Sequence, residues 1–269
     1  MESHQRRRSD APAAALSAQI TVAGDIVFKL HRSGTDPRAL AARLRIAHSV
    51  DALLSPFSVQ PEPVGLRWRT TWPLVKIVAA EPNRLPWAQA GALLAELHRE
   101  PVPARAPVHG WPQRLRRTVR RLAAAPGSIR RAAAVLPDGV WRAGTPGRPR
   151  TLVHGDWHLG QLGQTVVDPR WVLIDVDDLG VGDPAWDLAR PAGFWAAGLI
   201  PDRDWDGFQA GYREARGPAL PPMWCSATYA GDLTLSRRKP PSTTTKPACS
   251  TGLRARAAAR TASSERSAS

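Results

Sequence analysis

Apolar residues along the chain switch between a two-residue period and a helical one, and the switches mark the elements. Gln19–Val22 and Ile26–Leu30 read as strands around Ala23-Gly24-Asp25, a composition suited to a tight turn. Thr35-Asp36-Pro37 is a helix start, a capping side chain followed by Pro in the first turn, and the helix runs through Ala39–Ala47. Leu66–Trp72 and Leu74–Val78 are predicted strands. Pro86–Glu100 is a predicted helix with apolar Ala90, Leu93, Leu94 and Leu97 on one face. An arginine-faced helix is predicted over Trp111–Ala125 and another helix over Ser128–Leu136. Gln161–Val167 and the β-branched, aromatic run Trp171–Ile174 form a hairpin about Asp168-Pro169-Arg170. Asp183-Pro184 opens a further helix. Residues 1–16, and the Ser-, Thr-, Pro- and Arg-rich stretch after about Pro222, lack apolar periodicity and are predicted to be disordered.

A length of 269 residues allows one large domain or two small ones. Two cysteines, Cys225 and Cys249, make no disulfide framework and point to a reducing, cytoplasmic setting. No apolar run reaches the roughly 18 residues of a membrane span. The Arg-rich start followed by short, alanine-rich sequence is not expected to act as a signal peptide.

The net charge of +14 is unevenly spread. Residues 101–150 hold 11 Arg against one Asp, whereas residues 151–210 hold 10 Asp against three Arg. The basic stretches come without a stacking platform or recognition motif, so arginine on a solvated helix face, or facing the acidic segment, is the reading, and no nucleic-acid partner is expected. Nothing in the pattern fixes an oligomeric state.

The acidic segment carries the candidate chemistry. LVHGDWHLGQ places Asp156 on a loop with Gln161 five positions on, and the apolar run Trp171–Ile174 ends on Asp175. A hairpin centred near Pro169 sets Gln161 nearly opposite Asp175–Asp177. Asp156 is then available to take a proton from an attacking hydroxyl, while the Asp175 carboxylate and the Gln161 amide oxygen can hold Mg²⁺, which prefers oxygen ligands. That set suits phosphoryl transfer from a nucleotide.

HGDWHLGQ and IDVDDLGVGDPAWDLA resemble the two signature segments of the aminoglycoside phosphotransferase and choline kinase-like family. The resemblance is specific over about residues 150–200 and weaker over 20–150. It implies an α+β, protein-kinase-like fold: a small β-rich lobe (residues 17–80), a hinge at Ala79-Ala80-Glu81-Pro82 and a larger, mainly helical lobe (residues 81–222), both lobes truncated, with a basic tail over 223–269. It implies ATP and Mg²⁺, a small hydroxylated acceptor (an aminoglycoside, sugar or amino alcohol), Asp156 as base, and Gln161 and Asp175 as metal ligands, with Gln161 standing where the family usually has Asn. Lys29 takes the place of the lysine that meets nucleotide phosphates. His154, His158, Asp183 and Asp187 are structural supports. Trp87, Trp111, Trp141 and Trp157 are candidate pocket residues, with Trp157 nearest the substrate.

Two departures set an alternative, a catalytically impaired remnant with weak or no nucleotide binding. The helix after Lys29 carries Arg38, Arg43 and Arg45 but no Glu to pair with the lysine. Residues 1–23 contain no glycine, so the glycine-bearing phosphate loop is shortened or missing. Either the start lies upstream of Met1 or ATP binding is weakened, and the tail reads as an altered frame or degenerate end.

Overall fold

The computed structural model describes residues 18–78, 85–121, 126–136, 138–142 and 147–218. The predicted hinge, residues 1–16 and the tail over 223–269 lie outside the described residues. β1 (Gln19–Ala23) and β2 (Ile26–Leu30) form an antiparallel hairpin around Gly24, which takes the left-handed φ of 57° that the turn requires. α1 (Pro37–Ser49) follows, its first turn capped where the Asp36 carboxylate accepts the Arg38 N–H at 2.9 Å. β3 (Glu62–Val64) and β4 (Arg67–Pro73) complete a four-stranded antiparallel sheet in the order β1-β2-β4-β3.

β5 (Val75–Ile77) leaves that sheet for another. It pairs with β7 (Leu162–Thr165), which pairs with β8 (Trp171–Leu173), while β6 (Thr151–Val153) pairs with β9 (Gly180–Gly182). The remaining helices are α2 (Trp87–Arg99), α3 (Trp111–Arg121), α4 (Gly127–Ala134), α5 (Ala185–Ala196) and α6 (Asp202–Glu214), of which α2 packs on β6, β8 and α6. One apolar cluster runs from Leu40 and Leu44 of α1 through Leu53 to Leu94 and Leu97 of α2, Leu162, Leu173 and Phe208. Backbone bonds from Leu54 N–H to the Leu173 carbonyl (2.9 Å) and from Leu173 N–H to the Ala52 carbonyl (2.8 Å) carry the connection across the lobes. The α2–α6 crossing is close because Gly91 faces the Phe208 carbonyl and Gly211 faces the Ala88 carbonyl, and a Cβ at either position would overlap that oxygen.

The β7–β8 hairpin corrects the sequence reading. Its register pairs Leu162 with Leu173, so Gln161 lies level with Ile174 and not with Asp175–Asp177. Thr165 N–H reaches the Arg170 carbonyl at 3.0 Å, closing a loop over Val166–Pro169 that is centred ahead of Pro169. Proline cannot donate to a ladder, so pairing resumes at Arg170, whose N–H meets the Thr165 hydroxyl at 3.1 Å. Val166 and Val167, predicted within the strand, sit in the loop. The predicted Ser128 helix start also shifts, to Gly127, and that helix ends at Ala134.

Candidate active site

β6 delivers the chain into a loop, Val153–Gln161, whose shape is imposed from α5. The Asp187 carboxylate accepts the His154 N–H at 2.6 Å and the Gly155 N–H at 2.9 Å. Its Oδ2 also lies 3.1 Å from Nε2 of His98 on α2, and His98 Nδ1 lies 2.9 Å from the Tyr212 hydroxyl on α6. Asp187 is 1% exposed. Burial pushes its carboxyl up, but hydrogen bonding and charge from His98, then His154 and the Gly155 N–H, hold it below the ordinary carboxylate value. Burial raises the Tyr212 hydroxyl, and the charges of Asp187 and Asp183 raise it further. Gly155 has φ of 82° and its Cα faces the Asp178 carbonyl, so no side chain fits there. The loop is tied forward by His154 Nε2, 2.7 Å from the Ile174 carbonyl, and by His158, whose Nδ1 accepts the Gly160 N–H at 3.1 Å. Asp183 accepts the Ala185 N–H at 2.9 Å at the start of α5 and pairs with Arg148 at 3.1 Å.

Asp175 follows the end of β8 in the left-handed region, φ 63° and ψ 78°, a conformation that Asp tolerates better than most residues. Its carboxylate meets Lys29 Nζ at 2.7 Å, and the same ammonium lies 2.9 Å from Asp177. Lys29 is buried in β2; burial lowers its proton affinity, but Asp177 and Asp175 outweigh that and leave it raised. Burial raises the Asp177 carboxyl, yet Lys29 and His31 pull it far below its ordinary range. His31 Nδ1 lies 3.3 Å from Asp177, and its Nε2 lies 2.9 Å from the Thr70 hydroxyl, which also accepts from Trp72 Nε1 at 2.8 Å. The acid that α1 lacks is therefore supplied by the segment after β8. α1 contributes Arg43 instead, which donates to the Leu179 carbonyl at 2.8 Å.

Asp156 sits between two guanidinium groups. Arg190 of α5 lies 2.6 Å from Oδ1, and Arg114 of α3 pairs with Oδ2 while also reaching Asp178 at 2.5 Å. Burial pushes the Asp178 carboxyl up; Arg114 opposes this, and Asp156 and Asp177 add to the rise. Arg114 itself loses proton affinity to burial and more than regains it from Asp178 and Asp156, with Asp175 contributing. The structure thus brings Asp156 and Asp178 onto one arginine, with Asp175, itself bound to Lys29, near enough to act on that arginine by charge. Gln161 is buried, its carbonyl accepting the Ile174 N–H at 2.9 Å, one ladder position from Asp175. The Asp175 carboxylate, 38% exposed, and the Gln161 amide are oxygen donors of the kind a hard cation takes. Among the described residues no group of three His, Cys, Asp or Glu could hold a metal ion.

Trp157 is 1% exposed, its ring 5.1 Å from that of Phe208, so most of the side chain lies in the core beneath the loop, while with Trp87 it also lines a cavity beside the loop. Trp111 packs on Trp186 instead, at 6.0 Å. Arg114, Arg190, Asp177, Asp178, His31 and His98 were not identified from sequence. Only the alternate spacing of Lys29 with His31, and of Asp175 with Asp177, hinted at paired inward faces.

Comparison with known proteins places this geometry. The sequence profile of the phosphotransferase enzyme family matches residues 10–224. An aminoglycoside-3'-phosphotransferase of type VIII superposes with a TM-score of 0.53 at 17% identity, over 76% of this chain and 88% of that one. An aminoglycoside phosphotransferase from Streptomyces rimosus, solved with ADP and streptomycin, superposes with a TM-score of 0.52 at 19% identity, over 78% of this chain and 90% of that one. At such identities the likeness shows the fold, which is α+β and protein-kinase-like. No curated protein matches the sequence. The profile match spans most of the chain, including every described residue, and this protein belongs to the phosphotransferase enzyme family.

Proposed function

We propose that the protein transfers the γ-phosphoryl group of ATP to a hydroxyl of a small molecule. The observation that carries this reading is the pairing of buried Lys29 with Asp175 at 2.7 Å, beside a loop that Asp187 holds in place. In the proposed step the acceptor oxygen bonds to the γ-phosphorus and the bond to the β–γ bridging oxygen breaks. ADP leaves, and the hydroxyl proton passes to the Asp156 carboxylate. Lys29 would meet the nucleotide phosphates. It has two acid partners, so it stays anchored by Asp177, 2.9 Å away, when Asp175 turns to a metal. Asp175 and Gln161 would hold Mg²⁺, which when bound neutralises charge on the phosphates. His154, His158, Asp183 and Asp187 position these groups. In this reading residues 17–80 form the nucleotide lobe and residues 81–222 the catalytic lobe of a cytoplasmic enzyme.

A thermal-shift titration tests it. ATP with Mg²⁺ at about 100 times its Kd stabilises the fold by roughly 2.7 kcal/mol, and Asp175→Ala removes the Mg²⁺-dependent part of the shift. No shift at millimolar nucleotide would identify a kinase-like fold that has lost its nucleotide.

A further inference from the structure

We infer that the acceptor is a hydroxy acid with an apolar body, read by Arg190, and not a polycation. The inference rests on the phosphotransfer reading above. A cavity of about 390 Å³ opens against the Trp157–Gly160 stretch that follows Asp156. Its walls include Trp87, Phe194, Leu199 and Ile200, and among the described residues its polar lining is His158 and Arg190, with no Asp or Glu. Leu199 is 71% and Phe194 40% exposed at this cavity, apolar surface that an apolar ligand would cover. Arg190 puts a guanidinium into the lining. A polycationic acceptor would enter facing a guanidinium, without a carboxylate in the lining to meet its own charges.

The grip on Asp156 adds the second observation. Arg190 and Arg114 each pair with one of its carboxylate oxygens. An acceptor hydroxyl needs one of them. Arg114 is also bound to the carboxylate of a second residue, Asp178, at 2.5 Å, whereas the other bond of Arg190 is a long one to the Asp156 carbonyl (3.4 Å), and Arg190, 5.9 Å over the Phe194 ring, already borders the cavity. Arg190 is the one free to turn. A guanidinium turned towards apolar walls needs an anion, and a carboxylate offers it a matching two-point partner. A substrate carboxylate would draw Arg190 off Asp156 Oδ1 and open that oxygen to the hydroxyl of the same molecule. The group then moves as in the step above: the hydroxyl oxygen takes the γ-phosphoryl group, ADP leaves, and Asp156 takes the proton.

The test uses the full chain with Mg-ATP and three probes: 3-hydroxydecanoate, its methyl ester and streptomycin. Phosphorylation of 3-hydroxydecanoate is expected, with a KM about tenfold or more below that of the ester, the scale of a charged hydrogen bond. Arg190→Gln should bring acid and ester to the same KM. Leu199→Asp, at an exposed position, should weaken binding of the acid without lowering Tm. Calorimetric binding of 3-hydroxydecanoate to Asp156→Asn protein separates this inference from the reaction on which it rests. Binding that Arg190→Gln abolishes, without phosphate transfer in the wild type, supports the pocket assignment and removes the phosphotransfer reading. Transfer to streptomycin in preference to the acid overturns the inference and keeps phosphotransfer. An acid-to-ester ratio unmoved by Arg190→Gln also overturns it. So does concentration-dependent dimerisation that Leu199→Asp abolishes, in the absence of acid binding, since a second copy would then be the occupant.

Discussion

Asp156→Asn is expected to lower kcat by about 10²–10⁴-fold, the range for loss of a positioned general base, while the protein melts within a few degrees of the wild type. The two halves of that expectation come from different contacts. The amide keeps the shape of the carboxylate but cannot take the hydroxyl proton, so the loss falls on kcat. Stability is spared because neither arginine is stranded. Arg114 keeps Asp178, 2.5 Å away, and Arg190 is 35% exposed, so water can replace its partner. Exposed or half-exposed ion pairs are worth about 0–1 kcal/mol. Steady-state phosphate transfer and a thermal melt on the same preparation check both parts. Near-normal turnover would displace Asp156 as the base, and a collapsed melt would make it a structural residue.

Elements with a long apolar period were legible in the sequence. α2, with Ala90, Leu94 and Leu97 buried on one face, and α1, capped by Asp36, both form close to their predicted bounds. The hairpin that carries Lys29 was legible because Gly24-Asp25 allows few alternatives. β6 and β9 were not, because three-residue strands are too short to show alternation and Gly180–Gly182 is buried throughout. α6 escaped because DRDWDGFQAGYRE is polar and glycine-containing; its apolar contacts, at Phe208 and Tyr212, depend on a close approach to α2 that only the folded chain reveals. In the site, Asp156, Gln161, Asp175, Asp183 and Asp187 stand out on the two signature segments, whereas Asp177 and Asp178 on the second segment, and the partners from distant elements, do not. Arg114, Arg190 and His98 lie on helices where charge normally faces water, and no local pattern marks an arginine that turns inward. The same reason hides the partner of Lys29: the sequence leads one to expect a Glu on α1, while the acids stand 146 and 148 positions downstream, at Asp175 and Asp177.

Asp187→Ala is expected to remove both stability and activity, the opposite pattern to Asp156→Asn. Asp187 is buried, and its carboxylate accepts two backbone N–H groups of the loop while facing His98. Alanine leaves those donors buried without acceptors, and breaking a buried charged network from one side costs about 3–5 kcal/mol. For a domain of this size that is a fall in Tm on the order of 10 °C. The pH dependence separates the charge from mere packing. The folded Asp187 carboxyl lies below its unfolded value of about 4, so its contribution is present above that pH and is lost as pH falls towards the folded value. Wild-type Tm should therefore decline on acidification below about pH 4, and Asp187→Asn, which cannot titrate, should start lower and decline less. Parallel acid profiles for wild type and Asp187→Asn would mean that the carboxylate charge does not hold the loop. In that case the position of Asp156 would have to be credited to the Gly155 turn and the His154–Ile174 contact, and Asp187→Asn should retain most of its kcat. If the profiles differ, kcat in Asp187→Asn should fall along with Tm, because the same two N–H bonds that stabilise the fold also aim the base.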